Sequence, residues 1–170
     1  LGQQVFARGV NIEERPHERR ALASSPFDEE GVATRTRRVV RGGVLEGYFL
    51  GCYSARKLGM RSTGSAGGNH NLAIAADGPD FRGMLRKMGR GLLVTELLGH
   101  GINPVTGDYS RGAAGFWVEH GEIQYPVHEI TIAGNLKDMF RNIVAVGNDV
   151  LVQGSKQCGS ILVEGMTVAG

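Results

Sequence analysis

The chain has 170 residues, of which 41% are hydrophobic and 21% charged, and its formal net charge at pH 7 is +2. This suits one globular domain, residues 1–170, with a buried core, and the near-neutral charge argues against a nucleic-acid binder, which needs a concentrated Lys/Arg surface. With only two cysteines, a disulfide framework is not expected, and no run of about 18 apolar residues indicates a membrane span. We therefore expect a cytoplasmic protein.

Glycine accounts for 27 residues, yet the glycines follow no period of three and only five prolines accompany them. Glycine supplies the backbone conformations that tight turns and bulges need, and it weakens helix interiors. The composition therefore favours a β-rich fold with many turns over a bundle of helices.

The first part of the chain is predicted to form strands around one charged loop. Residues 3–12 are predicted to be a strand, and Glu13 to Ser25 a solvated loop, because the apolar residues there follow no period. Two β-compatible runs, 32–41 and 44–50, flank Gly42-Gly43, which predicts a β-hairpin.

The densest basic cluster lies within this hairpin. At strand spacing, Arg35, Arg37 and Arg41 share one face and Arg38 takes the other. We interpret the cluster as a solvated strand face, with a phosphate-contacting patch as the alternative.

Residues 59–71, GMRSTGSAGGNHN, are predicted to form a flexible loop. Glycine-rich loops can cradle phosphates, but neither the Walker A pattern nor G-x-G-x-x-G occurs here. Asn69 and His70 are candidate substrate-binding residues, because a histidine between two asparagines could face a binding site. A plain surface loop is the alternative.

Two helices are predicted, near 80–88 and 135–146. The first is capped by Asp77 or Asp80, and the second by Asn135, with Asp138 in its first turn. Each carries one apolar stripe at helical spacing, formed by Phe81, Met84, Leu85 and Met88 in the first and by Leu136, Met139, Phe140, Ile143 and Val144 in the second.

Short strands are predicted between and after these helices, at 72–76, 92–98, 150–152, 160–163 and 166–168. The fold class is therefore α+β, mostly antiparallel β, with hairpins, short strands and glycine-rich turns.

The stretch from Thr106 to Tyr125 combines a polar turn with a second hairpin, in which Gly121 reverses the chain. Its polar residues Asp108, Tyr109, Ser110 and Arg111 are candidate substrate-binding residues, because they bring a charge, hydroxyls and a guanidinium onto one loop. The alternative is that Asp108 and Ser110 only satisfy backbone groups of the turn.

No metal motif is complete. The pairs His17-Glu18 and His128-Glu129 each lack the second His of HExxH, since Ala21, Ile132 and Ala133 stand where it would fall. Cys158, in a glycine-flanked turn, is either a small apolar side chain or a thiolate ligand or nucleophile.

The run from Thr95 to Asp149, TELLGHGINPVTGDYSRGAAGFWVEHGEIQYPVHEITIAGNLKDMFRNIVAVGND, resembles the C-terminal region of the TldD/PmbA family, and in particular its PmbA (TldE) branch. The segments ASSPFDEEG, GYFLGCYSARKLGM and TGSAGGNHN resemble the same branch. The resemblance spans nearly the whole chain, and it implies a C-terminal domain of a longer protein, as does a start at Leu1 rather than Met.

The family resembles zinc peptidases that degrade or mature peptides and that pair a TldD with a TldE subunit. Two histidines of a HExxxH motif in TldD bind the metal, and the TldE branch lacks that motif. The resemblance therefore implies a non-hydrolytic subunit that supplies scaffold and peptide-binding surface, with zinc in a TldD-like partner. Whether this chain is itself part of an enzyme stays open, as does pairing with a second copy.

The TldD branch is thought to take a further zinc ligand from a C-terminal Cys followed by Gly, and Cys158-Gly159 stands where it would fall. Without the two histidines one thiolate would not hold zinc, so we assign no metal ligand and no catalytic residue to this chain. The alternatives are a gyrase-associated or other regulatory binding protein, as an older label of the family suggests, and a structural dimerisation domain.

Overall fold

The computed structural model describes all residues from 1 to 170. Its fold is α+β, as predicted, with three short helices and eleven strands. Every strand pairing but one is antiparallel. No helix is both long and apolar enough to cross a membrane. In chain order the elements are β1 (Ile12–Glu14), β2 (Arg37–Arg41), β3 (Val44–Leu45), α1 (Cys52–Lys57), β4 (Leu72–Ile74), α2 (Phe81–Met88), β5 (Gly91–Leu98), β6 (Asp108–Glu119), β7 (Glu122–Asn135), α3 (Leu136–Arg141), β8 (Ile143–Val146), β9 (Lys156–Gln157), β10 (Ile161–Val163) and β11 (Thr167–Ala169).

The first sheet has five strands in the order β3-β2-β1-β4-β9, with β1 at its centre. The predicted first hairpin is confirmed: β2 and β3 are joined by Gly42 and Gly43, whose φ angles of 54° and 79° suit a two-residue hairpin turn. The buried apolar cluster of this sheet comprises Val10, Ile12, Val39 and Val40.

The second large sheet has four strands in the order β11-β7-β6-β5. The predicted second hairpin is confirmed, since β6 and β7 pair from Glu119 and Glu122 outward. Its turn residues, His120 and Gly121, both have positive φ angles, of 53° and 74°, which is typical of a type I′ turn. Tyr109, Ala113 and Ile132 form the buried cluster of this sheet.

Helix α2 confirms the first predicted helix, and the Asp80 carboxylate caps it by accepting the Gly83 N–H at 2.8 Å. Helix α3 begins as predicted, with Asn135 accepting the Lys137 N–H at 3.1 Å, but it ends at Arg141. The extension to 146 is wrong. Ile143–Val146 is strand β8, rich in β-branched residues, and it pairs with β10.

The predictions near the N-terminus need larger corrections. Within the predicted strand 3–12 there is only an isolated bridge from Gln4 to Val44 before β1 begins at Ile12. The solvated loop predicted from Glu13 is wrong at its start, since Glu14 lies in β1 with 2% of its surface exposed.

Three further differences concern the basic cluster and two short strands. Arg37 is not part of a solvated face, because its side chain is drawn inward and only 12% exposed. The predicted strand at 150–152 is absent, and Lys156–Gln157 forms β9, which pairs in parallel with β4 and was not predicted.

Candidate functional site

Strand β5 forms one edge of the four-stranded sheet. It pairs with β6 alone, so the backbone N–H and C=O groups on its other side have no strand to bond. Its second half, Thr95 to Leu98, is exposed, and the residues Leu97 and Leu98 are 41% and 48% exposed. A backbone edge of this kind can accept another extended chain.

The other side of the sheet is protected against such pairing. Strand β11 covers only Thr131 to Ala133 of β7, which leaves the first part of β7 at the edge. Pro126 has no N–H to offer there, and Glu129 breaks the extended backbone with a φ of 56°. Strand β5 contains no proline or lysine, and Glu96 is its only charged residue. The open edge is therefore β5.

Arg111 connects the predicted binding residues to this edge. Its Nη2 donates to the carbonyl of Leu97 in β5 at 3.1 Å, across the β5–β6 pair. Its Nε is buried and has no hydrogen-bond partner. The guanidinium thus holds the exposed half of β5 in place and keeps one N–H unused.

The other three candidates of this stretch lie at the start of β6, beside Arg111. The Asp108 carboxylate accepts the hydroxyl of Thr106 at 2.7 Å and the amide of Asn135 at 3.3 Å. The Ser110 N–H donates to the Gly101 carbonyl at 2.7 Å. The Tyr109 side chain belongs to the buried cluster. The Asp108 carboxylate thus bonds side chains, and Ser110 bonds only through its backbone, so neither side chain makes the backbone contacts of the turn alternative. A binding role for Asp108 or Ser110 stays a prediction.

Asn69 and His70 lie elsewhere, in the segment that leads into β4 of the five-stranded sheet. The structure therefore does not join them to the Asp108–Arg111 group in one cluster. The Asn69 side chain donates to the His70 carbonyl at 2.8 Å, while the His70 N–H and Nδ1 contact the Glu14 carboxylate at 2.8 and 3.2 Å.

Glu14 and Arg37 form a buried ion pair that sequence patterns did not reveal. The Arg37 Nε donates to the second Glu14 oxygen at 2.7 Å, and its Nη1 donates to the Tyr48 carbonyl at 2.6 Å. Glu14 shares a strand face with the buried Ile12, and that period of two was the available signal. The pair fixes the loop that carries His70.

Asp28 anchors the same region. Its carboxylate accepts the backbone N–H groups of Glu30, Val32 and Ala66 at 2.9, 2.9 and 3.0 Å. Burial raises the pKa of the Asp28 carboxyl, but these three donors, and the charge that His70 carries when it is protonated, outweigh it, so the pKa lies below its usual value. Asp28 in a turn before Gly31 is the signal from which this anchor could have been predicted.

Cys158 lies exposed between β9 and β10. Desolvation, and then the negative charge of Asp149, raise the pKa of its thiol above the usual value. A protonated thiol is a weak nucleophile and a weak metal ligand at neutral pH. No group of three or more His, Cys, Asp or Glu residues in this chain is placed to hold a metal ion.

Comparison with known proteins gives consistent matches over the whole chain. Residues 1–170 match the family model described as the PmbA/TldA metallopeptidase C-terminal domain. The chain is 59% identical over 170 residues to the metalloprotease PmbA of Escherichia coli O157:H7, and 54% identical over 174 residues to the metalloprotease PmbA homolog of Haemophilus influenzae. Each alignment covers 100% of this chain and 38% of the relative, so the chain spans 38% of the length of these relatives.

Solved structures agree with these matches. A proposed modulator of DNA gyrase from Thermotoga maritima superposes with a TM-score of 0.91 at 41% identity, covering 99% of this chain and 41% of that one. TldE from Thermococcus kodakarensis superposes with a TM-score of 0.87 at 24% identity, covering 100% of this chain and 42% of that one, and shows the shared fold.

Proposed function

The chain belongs to the PmbA/TldA metallopeptidase C-terminal domain family, and from this membership we propose that it is the C-terminal domain of a longer PmbA/TldE-like subunit. The complete protein works in a TldD/TldE-type zinc peptidase that degrades or matures peptides. It is cytoplasmic, and it forms a heterodimer with a TldD-like subunit or a homodimer. The relatives are named metalloproteases, and these names support the peptidase role.

Hydrolysis takes place in the partner subunit. Zinc is held there, since the TldE branch that this chain resembles lacks the HExxxH motif of the TldD branch. This domain contributes scaffold and a surface that binds peptide.

One observation carries the peptide-binding role: the free edge of β5. An extended peptide adds to such an edge through backbone hydrogen bonds, which are the same for any sequence. The edge is exposed from Thr95 to Leu98 and contains no proline, and its one register shift, between Val94 and Glu96, lies at the start of this exposed half. A peptide bound there is held in the extended form that a peptidase cleaves.

Arg111 acts as a positioning residue for this edge, through its bond to the Leu97 carbonyl. The neighbouring residues Asp108, Tyr109 and Ser110 support the turn from which β6 starts.

Activity of the two-subunit enzyme tests the proposal. The protein is copurified with a TldD-like subunit, and cleavage of an unstructured peptide is measured with and without it. Leu97→Lys places a charge on the β5 edge, and Leu22→Lys places the same charge on an exposed loop residue. We expect activity to require both subunits and to fall only with Leu97→Lys. Equal activity of the two variants would remove β5 from the peptide path.

A further inference from the structure

The imidazole of His70 has a fixed orientation. Its Nδ1 contacts an oxygen of Glu14 at 3.2 Å, and that oxygen also accepts the His70 N–H at 2.8 Å. The other oxygen accepts from Arg37. A carboxylate that pairs with Arg only accepts hydrogen bonds, so Nδ1 carries the proton. The two side chains, His70 and Glu14, are 11% and 2% exposed, which leaves the ring little freedom.

The other ring nitrogen is left without a partner. Nε2 of His70 makes no hydrogen bond within the chain, and it is not among the polar atoms sealed from solvent. In the neutral ring it is a bare acceptor, because the proton is on Nδ1. The Glu14–His70 pair therefore presents an oriented acceptor to the outside.

His70 lines a surface recess of about 340 Å³, which we call the His70 recess. No Lys or Arg is among its lining residues, and its two acids are Asp28 and Glu29. The Glu29 side chain lies against Gly67, where a Cβ would stand 2.3 Å from its Cδ, so the glycine makes room for it. The Phe27 ring, also lining the recess, is exposed.

We propose that the His70 recess binds a primary ammonium group. An ammonium has three N–H donors on a compact head, which suit the two acceptor residues that line the recess, His70 and Glu29. The exposed face of Phe27 adds a favourable surface for a cation. Asp28 contributes negative charge, although three backbone N–H groups already occupy its oxygens. The ammonium comes from a lysine side chain or from the amino terminus of a peptide.

This site does not depend on the peptidase role or on the β5 edge, so it can be tested on the protein alone. The histidine ring resonances of the ¹⁵N-labelled protein are followed by NMR at constant pH during four titrations. Nα-acetyl-lysine methylamide presents the side-chain ammonium and glycinamide the α-ammonium. Tetramethylammonium has the same charge without an N–H, and Nα-acetyl-arginine methylamide presents a guanidinium.

We expect the His70 Nε2 resonance to shift with one or both ammonium probes, and the two probes decide between the two sources. Glu29→Gln should weaken that binding roughly fivefold. Glu122→Gln removes the same charge at the β6–β7 turn and should leave binding unchanged. The proposal would be overturned if neither ammonium probe shifted the resonance, or if tetramethylammonium or the arginine probe shifted it equally. An equal effect of the two glutamate variants on binding would also overturn it.

Discussion

The buried carboxylate of Glu14 should be among the side chains on which stability depends most. Glu14→Gln keeps the shape but replaces one oxygen by an NH₂ that faces the donors of Arg37 or His70. Removing one partner of a buried ion pair costs about 3–5 kcal/mol, because the remaining charge stays buried and unpaired. For a chain of this length that corresponds to a loss of roughly 6–20 °C in Tm, at about 2–4 °C per kcal/mol.

The neighbouring Glu13 provides the matched control. It lies on the same strand and pairs with Arg15, but the two side chains are 33% and 46% exposed. Glu13→Gln should therefore cost at most about 1 kcal/mol. Urea unfolding followed by far-UV circular dichroism and by the fluorescence of Trp117 measures both variants. If the two free energies of unfolding agreed within about 0.5 kcal/mol, the buried pair would not stabilise the fold as described.

Three further predictions concern a turn, an acid and the candidate site. Gly121→Ala should lower the free energy of unfolding by at least about 1 kcal/mol, because φ is 74° there and the new Cβ would lie 2.8 Å from a backbone atom of α2. Gly154→Ala is the control, since its new Cβ meets no atom within 4 Å, and it should leave the thermal unfolding temperature unchanged. Because the pKa of Asp28 is lower in the folded protein than its value of about 3.9 in the unfolded chain, the ionised carboxylate stabilises the fold above that pH, and this stability is lost as the pH falls through the folded pKa. Asp28→Asn should therefore be less stable at pH 7 and lose less stability on acidification. An unchanged dependence of the unfolding free energy on acid pH would contradict this. Arg111→Ala should lower the activity of the two-subunit peptidase without unfolding the protein. Arg82→Ala, on the exposed side of α2, should leave the activity unchanged. Equal activities of the two variants would remove Arg111 from the site.

Local signals in the sequence were sufficient for the hairpins and for α2. Two glycines between β-compatible runs predict a hairpin and few other structures. Asp80 followed by an apolar stripe at helical spacing predicts a helix. The end of α3 could not be predicted in this way. Ile143 and Val144 fit the helical stripe equally well, and the pairing of β8 with β10 decides the outcome.

The candidate site was only partly accessible from the sequence. The residue types of Asp108–Arg111 pointed to a contact surface, but the link from Arg111 to β5 depends on a pairing 14 residues apart along the chain. The Glu14–Arg37–His70 group joins residues up to 56 positions apart. Glu14 stands in a run of charged residues, Glu13 to Arg15. This run hides the alternation of buried and exposed strand positions that places Glu14 inside the protein.

The peptide-binding role rests on one claim, that the free edge of β5 takes up an extended peptide. Amide hydrogen exchange of the complex between this protein and a TldD-like subunit, with and without a slowly cleaved peptide, tests it most directly. We predict that peptide slows exchange at amides of Gly91–Leu98 and that Leu97→Lys abolishes this protection. Protection confined to the partner subunit, with β5 unchanged, would contradict the claim.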